Sequence, residues 1–195
     1  MPNGFIFDLD GTLADTMPAH YQAWTLIAAR HGLTFPEDRF YQLGGVPTAK
    51  IAAQLVAAAG LTLDPLVVAK EKEQAYVASL FDGANVRPIA PVLEIARRHR
   101  GEGRLAVASG GLRHLVERTL AQLGIADWFT AVVAAEDTVR HKPEPDVFLE
   151  AARRIGAAPA DCTVYEDTDI GLEAARRAGM RGVDVRPLYL PRRES

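Results

Sequence analysis

Residues 4–12 of the chain read Gly-Phe-Ile-Phe-Asp-Leu-Asp-Gly-Thr, and this stretch decides the fold. A short apolar run ends directly in a polar turn that holds Asp8 and Asp10. Runs of this kind are typical of strands that are covered on both faces in a parallel sheet. We therefore predict a buried strand over residues 4–7, whose carboxyl end presents two carboxylates.

The same rhythm continues through the second half of the chain. Further short apolar runs predict strands at Arg104–Ala108, Ala131–Ala134, Cys162–Tyr165 and Arg181–Val185. Helical patterns separate them at about Pro91–Arg100, Leu112–Leu123, Asp146–Ile155 and Asp169–Ala178. Asp146 and Asp169 are expected to be N-caps. Alternating strands and helices predict an α/β fold with a doubly wound, mostly parallel, Rossmann-like core.

One segment breaks this alternation. Residues 15–81 contain helical patterns and no convincing strand, and Asp64-Pro65 is typical of an N-cap followed by the first helical residue. We predict a helical cap over residues 15–81, inserted into an α/β catalytic core made of residues 1–14 and 82–195. The alternative is a single α+β domain without a separate cap. Residues 187–195 are expected to form a loose surface end.

Composition and charge restrict the class of protein. The chain has 195 residues, of which 48% are hydrophobic and 24% charged, and this is typical of a globular protein. Its 22 basic and 25 acidic side chains give a net charge of −3, so charge offers no argument for a nucleic acid or membrane partner. The single cysteine, Cys162, excludes an intrachain disulfide. We expect a cytoplasmic protein that is a monomer or a weak homodimer.

The residues that follow the predicted strands carry the chemistry. In an open parallel sheet, ligands bind outside the carboxyl ends of the strands. Here those ends would bring together Asp8 and Asp10, Ser109 and Gly110, Lys142, and the pair Glu166-Asp167. Clustered carboxylates repel one another unless a hard cation lies between them, and carboxylate oxygens are ligands that Mg²⁺ prefers. A divalent cation could therefore bind among the carboxylates of Asp8, Asp10, Glu166 and Asp167.

A phosphate group would complete such a site. Lys142, Ser109 and loop amides such as that of Gly110 could hold a phosphate dianion. Asp8 could then attack phosphorus to form an aspartyl-phosphate, while Asp10 acts as general acid and base. More ordinary roles compete for some of these residues: Ser109 could cap the next helix, Glu166 could interact with a helix dipole, and Asp169 is expected to be an N-cap.

These motifs, in this order, resemble the four motifs of the haloacid dehalogenase superfamily. The matching residues are Asp8-x-Asp10-Gly11-Thr12-Leu13-x-Asp15-Thr16, Ser109, Lys142-Pro-x-Pro-Asp146 and Glu166-Asp167. The resemblance implies that Asp8 is the nucleophile and a Mg²⁺ ligand, that Asp10 is the acid and base, and that Thr12 orients Asp10. It also implies that Ser109 and Lys142 bind the phosphoryl group and that Asp167 ligates the metal, with Glu166 ligating directly or through water.

Within that superfamily the chain is similar to the beta-phosphoglucomutase subgroup and its sugar-phosphate phosphatases. This implies a small phosphorylated sugar or sugar acid as substrate, with cap contacts from His20, Trp24, Gly45, Thr48 and Lys72 and core contacts from Arg113 and His114. Trp24 could equally belong to the cap core, and Lys72 to a solvated helical face. Thr48 stands where the mutase has a phosphate-binding arginine, so we predict a phosphatase. A mutase and a non-catalytic sugar-phosphate binding protein are the alternatives.

Overall fold

The computed structural model describes residues 3–81 and 86–189. The strands are β1 (Gly4–Phe7), β2 (Arg104–Ala108), β3 (Ala131–Val133), β4 (Cys162–Glu166) and β5 (Arg181–Asp184). The helices, in chain order, are α1 (Met17–His31), α2 (Glu37–Gln42), α3 (Thr48–Ala59), α4 (Pro65–Phe81), α5 (Ala90–His99), α6 (Arg113–Gln122), α7 (Asp146–Ile155) and α8 (Asp169–Arg177). Across these two described ranges, none of the helices has the length and apolarity that a membrane span needs.

The five strands form one parallel sheet in the order β3-β2-β1-β4-β5. The central strand is β1, whose Phe5 aligns with Leu105 on one side and with Thr163 on the other. The chain runs from β1 outward through β2 and β3, and then returns to the other side of β1 for β4 and β5. The carboxyl end of β1 therefore lies at the point where the strand order reverses, which is where open α/β sheets bind ligands. The predicted α/β class is confirmed.

Successive residues of β1 point to opposite faces of the sheet, and both faces are covered. Ile6 belongs to an apolar cluster with residues of α7 and α8, including Phe148 and Ala174. On the other face, the Phe5 ring stacks on the imidazole of His99, with 3.7 Å between the ring centroids. Coverage on both faces explains why the strands of this sheet are short apolar runs rather than alternating ones.

The structure corrects two predicted helix starts. The N-cap of α8 is Thr168, whose hydroxyl accepts a hydrogen bond from the Gly171 amide at 3.1 Å. The N-cap of α7 is Pro145. Asp169 and Asp146 are therefore the first residues of their helices and not the predicted caps, although a carboxylate is also favourable in a first helical turn. The predicted start at Pro65 is confirmed, and Asp64 accepts a hydrogen bond from the Leu66 amide at 2.9 Å.

Residue contacts divide the chain into two compact units, Met1–Asp15 with Arg87–Ser195, and Thr16–Val86. The second unit contains α1 to α4, and its own apolar core includes Trp24, Phe35 and Leu55. The predicted boundary at residues 81 and 82 adjoins residues 82–85, which lie outside the described residues. The function of this unit as a cap stays a prediction.

The chain after β5 is more ordered than predicted. Residues Arg186–Leu188 form a 3-10 turn, and the hydroxyl of Tyr189 donates a hydrogen bond to the backbone carbonyl of Gly11. The expectation of a loose end is therefore wrong for residues 187–189. Residues 190–195, the rest of that predicted segment, lie outside the described residues.

Candidate active site

Asp8 is the first residue after β1, and the sheet itself holds it in place. Its amide donates to the carbonyl of Tyr165 in β4 at 3.0 Å, so the backbone pairing extends one residue beyond the strand. The side chain is buried, with 6% of the residue exposed. Its Oδ1 accepts a hydrogen bond from the Nζ of Lys142 at 2.7 Å. The strand end therefore presents one carboxylate in a fixed orientation, against a buried ammonium.

Lys142 bridges two carboxylates. Its Nζ lies 2.7 Å from Asp8 Oδ1 and 2.7 Å from Glu166 Oε2, and only 4% of the residue is exposed. Burial by itself would lower the pKa of this ammonium, but the charges of Asp8 and Glu166 and their hydrogen bonds raise it above its ordinary value. Lys142 is therefore a cation throughout the physiological pH range.

Glu166 ends β4 and connects the ion pair to the start of α8. While its Oε2 accepts from Lys142, its Oε1 accepts hydrogen bonds from the Asp167 amide at 3.1 Å and the Thr168 amide at 3.0 Å. The Thr168 hydroxyl donates to the same oxygen at 2.8 Å. A Cβ on Gly171 would lie 2.1 Å from Cδ of Glu166, so α8 can approach the carboxylate this closely only with a glycine there. Glu166 thus accepts hydrogen bonds from backbone amides at the start of α8 and also lies close to Asp8.

Asp167 lies across the turn that carries Asp10 and Thr12. The Thr12 hydroxyl, predicted to orient Asp10, donates to Asp167 Oδ1 at 3.0 Å. A Cβ on Gly11 would lie 2.2 Å from Asp167 Oδ2, and Gly11 has a φ of +88°, so both space and conformation require glycine. Burial and the nearby Glu166 charge raise the pKa of Asp167 to about 8, against the lowering effect of the Thr12 hydrogen bond.

Three carboxylates converge at this edge of the sheet. Asp8, Glu166 and Asp167 each offer an oxygen atom, and these atoms lie within 4.8 Å of one another. Burial raises the pKa of Asp8 well above its ordinary value, Glu166 and Asp167 raise it further, and Lys142 opposes the shift. When all three are ionised, these carboxylates and the one ammonium leave two excess negative charges in the cluster. Such oxygen donors with this excess charge fit a hard divalent cation such as Mg²⁺.

The other predicted core residues lie beside this cluster. Ser109 is buried at the end of β2, and its Oγ accepts a hydrogen bond from the Gly111 amide at 2.9 Å. A Cβ on Gly111 would lie 3.2 Å from Ser109 Oγ and 3.7 Å from Asp10 Oδ2, so Gly111 lies beside both side chains. The N-cap of α6 is Leu112, so the alternative that Ser109 caps this helix is wrong. Gly110 lies between Ser109 and Gly111, in the same loop.

The predicted cap residues lie in the second unit, where Lys72 is the centre of a buried polar cluster. Its Nζ lies 2.7 Å from Nδ1 of His20 and 3.3 Å from Oε1 of Glu73, and the Thr48 hydroxyl donates to the same Glu73 oxygen. Lys72 is 1% exposed, so the alternative of a solvated helical face is wrong. The ammonium also lies 5.9 Å from the ring centroid of Trp24.

Trp24 and Gly45 occupy different settings in the same unit. Trp24 is 2% exposed and packs in the core of the unit, in agreement with the alternative given for it. Gly45 has a φ of +81° in the loop that precedes α3, and this left-handed conformation favours glycine. A backbone role is therefore sufficient to explain Gly45.

Two residues predicted to reach the substrate from the core have other surroundings. Arg113 forms ion pairs with Glu117 and Asp137, and its amide donates to both carboxylate oxygens of Glu136 at 3.0 Å. These contacts fix Arg113 beside the edge strand β3, so its predicted role in specificity has no support. His114 is exposed on α6.

Sequence reasoning missed three residues of the site. Gly171 and Thr168 shape the position of Glu166, and the start of a predicted helix three residues after this carboxylate was the available signal for them. Tyr189, which donates to Gly11, comes from a segment that composition alone marks as a loose end. No sequence signal that we used could have identified it.

Residues 2–179 match the family model described as haloacid dehalogenase-like hydrolase. The chain therefore belongs to the haloacid dehalogenase-like hydrolase family, which confirms both the predicted resemblance and the prediction that it is an enzyme.

Named relatives agree with this assignment. The chain is 41% identical over 185 residues to the fructose-1-phosphate phosphatase YqaB of Escherichia coli, covering 95% of this chain and 97% of the relative. It is 33% identical over 165 residues to hexitol phosphatase A of the same species, covering 84% of this chain and 74% of the relative. Among solved structures, beta-phosphoglucomutase from Clostridium difficile matches with a TM-score of 0.82 and 27% identity, over 94% of this chain and 84% of the other.

Proposed function

We propose that this protein is a Mg²⁺-dependent phosphatase that hydrolyses the monoester of a small phosphorylated sugar or sugar acid through an aspartyl-phosphate on Asp8. The observation that carries the proposal is the buried Lys142 ammonium, 2.7 Å from both Asp8 and Glu166, beside the Asp167 carboxylate. This arrangement would supply a nucleophile, a cation for phosphate and oxygen ligands for a metal at one edge of the sheet.

Asp8 is the proposed nucleophile because its carboxylate is both desolvated and oriented. Desolvation removes the water shell that would otherwise weaken it as a nucleophile, while Lys142 favours its ionised form. In the first step a bond forms between an Asp8 oxygen and phosphorus as the bond from phosphorus to the sugar oxygen breaks. Asp10 donates a proton to the departing sugar oxygen. In the second step water attacks phosphorus, Asp10 accepts its proton, and the bond from phosphorus to the Asp8 oxygen breaks, which releases inorganic phosphate and regenerates Asp8.

The remaining residues of the site have supporting roles in this proposal. Asp8, Glu166, Asp167 and the Asp10 carbonyl would hold Mg²⁺, directly or through water. When bound, the ion supplies positive charge that neutralises the phosphoryl oxygens in the transition state. Lys142, Ser109 and the Gly110 amide would bind the phosphoryl oxygens, and Lys142 keeps its charge because its pKa is raised. Thr12 would act by holding Asp167.

The sugar-phosphate class is supported by the two Escherichia coli relatives, which are a fructose-1-phosphate phosphatase and a hexitol phosphatase. The cap residues His20, Thr48 and Lys72 are proposed to determine which sugar is accepted, with Trp24 and Gly45 supporting the cap structure around them. A cytoplasmic location, a monomer or weak homodimer, and the lack of nucleic acid and membrane partners stay predictions from the sequence.

A phosphoryl-transfer mutase is the second candidate, because a solved beta-phosphoglucomutase matches the chain at 27% identity. Phosphatase activity is favoured by the 41% identity to a phosphatase and by Thr48. Where the mutase has a phosphate-binding arginine, this chain has Thr48, whose hydroxyl donates a hydrogen bond to the Glu73 carboxylate. The negative charge of Glu73 beside Thr48 is unfavourable for binding a second phosphate there. A protein that only binds sugar phosphates is disfavoured by its membership of a hydrolase family.

The test is release of inorganic phosphate from a panel of sugar phosphates with Mg²⁺, compared with the same assay in EDTA. The panel includes fructose-1-phosphate, 6-phosphogluconate and beta-glucose-1-phosphate. We expect hydrolysis that requires Mg²⁺ and is abolished in Asp8→Asn, whereas Asp161→Asn, an exposed control in the same unit, retains it. Full activity of Asp8→Asn would contradict the covalent mechanism. Conversion of beta-glucose-1-phosphate to glucose-6-phosphate without phosphate release would favour the mutase.

A further inference from the structure

The segment that follows β5 reaches back to the catalytic turn at residues 8–12. Arg186 fixes this segment: its amide and its Nε donate to Asp184 Oδ1 at 3.0 Å and 2.9 Å, and its guanidinium also donates to Asp169 at 2.7 Å. The 3-10 turn Arg186–Leu188 then directs Tyr189 toward the turn, where its hydroxyl donates to the Gly11 carbonyl. The contact joins residues 178 positions apart in sequence.

The accepting carbonyl belongs to the peptide group between the two functional side chains of the turn. The turn otherwise closes on itself, since the Gly11 amide donates to the Ala14 carbonyl at 2.8 Å and the Leu13 and Ala14 amides donate to the Leu9 carbonyl at 2.9 Å. The Gly11 carbonyl accepts its bond from outside the turn, from Tyr189. The Asp167 carboxylate also lies so close to Gly11 that a Cβ there would be 2.2 Å from its Oδ2.

The backbone of Gly11 thus lies close to a carboxylate at its α-carbon and accepts from a phenol at its carbonyl. The orientation of the peptide group joining Gly11 to Thr12 constrains the backbone of Gly11, the residue that follows Asp10, and the direction of Thr12, which in turn donates to Asp167. Burial, and then the charges of Asp167 and Asp8, raise the pKa of Tyr189, so its hydroxyl keeps its proton and remains a donor at physiological pH. A rigid, permanent donor is suited to fixing a backbone carbonyl.

We propose that Tyr189 is a positioning residue for phosphoryl transfer, which acts by fixing the Gly11 carbonyl and thereby the orientation of Asp10 and of the Thr12–Asp167 pair. The inference rests on the proposed phosphatase function. Tyr189 acts through Gly11 and not on the substrate. Its loss should therefore affect the step that needs a correctly placed Asp10 more than it affects substrate binding.

The test compares Tyr189→Phe with wild type and with Leu188→Ala, an exposed neighbour in the same segment. Phenylalanine keeps the ring and removes only the hydroxyl. Removing one positioning hydrogen bond should lower kcat about two- to tenfold, with KM for the sugar phosphate nearly unchanged. Leu188→Ala should leave kcat unchanged. An unchanged kcat in Tyr189→Phe, or equal losses in both variants, would overturn the proposal, since equal losses would mean that the segment acts only as packing.

A second measurement does not depend on turnover. In metal-free, ¹⁵N-labelled protein, the Thr12 amide belongs to the peptide group whose carbonyl accepts from Tyr189, so Tyr189→Phe should shift its resonance and Leu188→Ala should not. A Thr12 resonance unchanged by Tyr189→Phe would show that the hydroxyl does not hold this peptide group, and would also overturn the proposal. If wild type hydrolyses no phosphate ester although this shift is observed, the proposed function fails, and not the contact of Tyr189.

Discussion

Replacing Lys142 by methionine removes one charge from the centre of the site and keeps much of the side chain's volume. In the wild type the Lys142 ammonium lies 2.7 Å from Asp8 Oδ1 and 2.7 Å from Glu166 Oε2. The lysine and glutamate side chains are only 2% and 1% exposed, so solvent screens this ion pair weakly. The substitution therefore leaves two buried carboxylates facing each other without a partner cation.

The expected cost follows from that burial. Removing one partner of a buried, hydrogen-bonded ion pair typically destabilises a protein by about 3–5 kcal/mol, because the remaining charge stays desolvated. The free energy of unfolding of a typical domain is about 5–15 kcal/mol, so this loss is a large part of the total. We expect Lys142→Met to lower the free energy of unfolding by about 3–5 kcal/mol at pH 8 in EDTA.

The loss should shrink at acidic pH. The pKa of Asp8 is already raised by burial, and Lys142 opposes that shift, so removing Lys142 raises this pKa further. A carboxyl with a raised native pKa binds a proton that the unfolded chain has released, so stability falls as pH rises. The difference in the free energy of unfolding between wild type and Lys142→Met therefore grows as pH rises from the pKa of Asp8 in the wild type to its higher pKa in the variant. The raised pKa of Lys142 keeps its own contribution fully present below its ordinary value of 10.5, and this contribution is lost only as pH rises through the raised value.

Urea unfolding at pH 5 and pH 8, in EDTA, measures both effects. Trp128 lies in the same unit as Lys142 and Trp24 in the other, so Trp128 fluorescence in a Trp24→Phe background reports on the relevant unit. Asp161→Asn, at an exposed residue of the same unit as Lys142 and Trp128, is the control and should change stability little. A loss in Lys142→Met no larger than in this control, or a larger loss at pH 5 than at pH 8, would refute the reasoning.

Three further outcomes follow from the structure. Gly171→Ala should lower kcat about ten- to a hundredfold, because the added Cβ would displace Glu166. Gly101→Ala is the control, since there is open space around its Cβ, and it should leave kcat unchanged. Equal activities of the two variants in steady-state kinetics would contradict this role of Gly171. Arg154→Ala removes a 2.9 Å hydrogen bond to the Val132 carbonyl on the edge strand β3. The free energy of unfolding in urea should therefore fall by about 1 kcal/mol. Light scattering should show more self-association of the protein through this exposed edge, while kcat stays unchanged. Mg²⁺ at a hundred times its Kd should stabilise the protein by about 2.7 kcal/mol, about 5–10 °C in a thermal scan; a Tm insensitive to Mg²⁺ would count against a metal at the carboxylate cluster.

The sequence predicted the sheet and the strand ends well because both depend on local patterns. Residues 4–7 are buried on both faces and therefore form an apolar run, and the polar turn after them is visible at once. The strand ends of a parallel sheet share one edge, so the convergence of Asp8, Lys142 and Glu166 followed from order alone. The structure adds the pairing of these three side chains, with two contacts of 2.7 Å.

What the sequence could not predict depends on contacts between distant residues. The Lys72 pattern, among charged neighbours on a helix, is typical of a solvated face, and only its packing against His20 and Trp24 shows that it is buried. The N-cap of α8 was assigned to Asp169 rather than Thr168, because both residue types are good caps and the choice depends on the local backbone. Tyr189 lies near Gly11 only in the folded chain.

The central claim is that Asp8 carries the phosphoryl group during turnover. The most direct measurement is mass spectrometry of enzyme quenched in acid during turnover of a sugar phosphate with Mg²⁺, followed by digestion and identification of the modified residue. The account predicts one added phosphoryl group on Asp8 that is lost in alkali and is not found in Asp8→Asn. Turnover without any phosphorylated peptide under conditions that trap acyl phosphates, or a phosphoryl group on another residue, would contradict it.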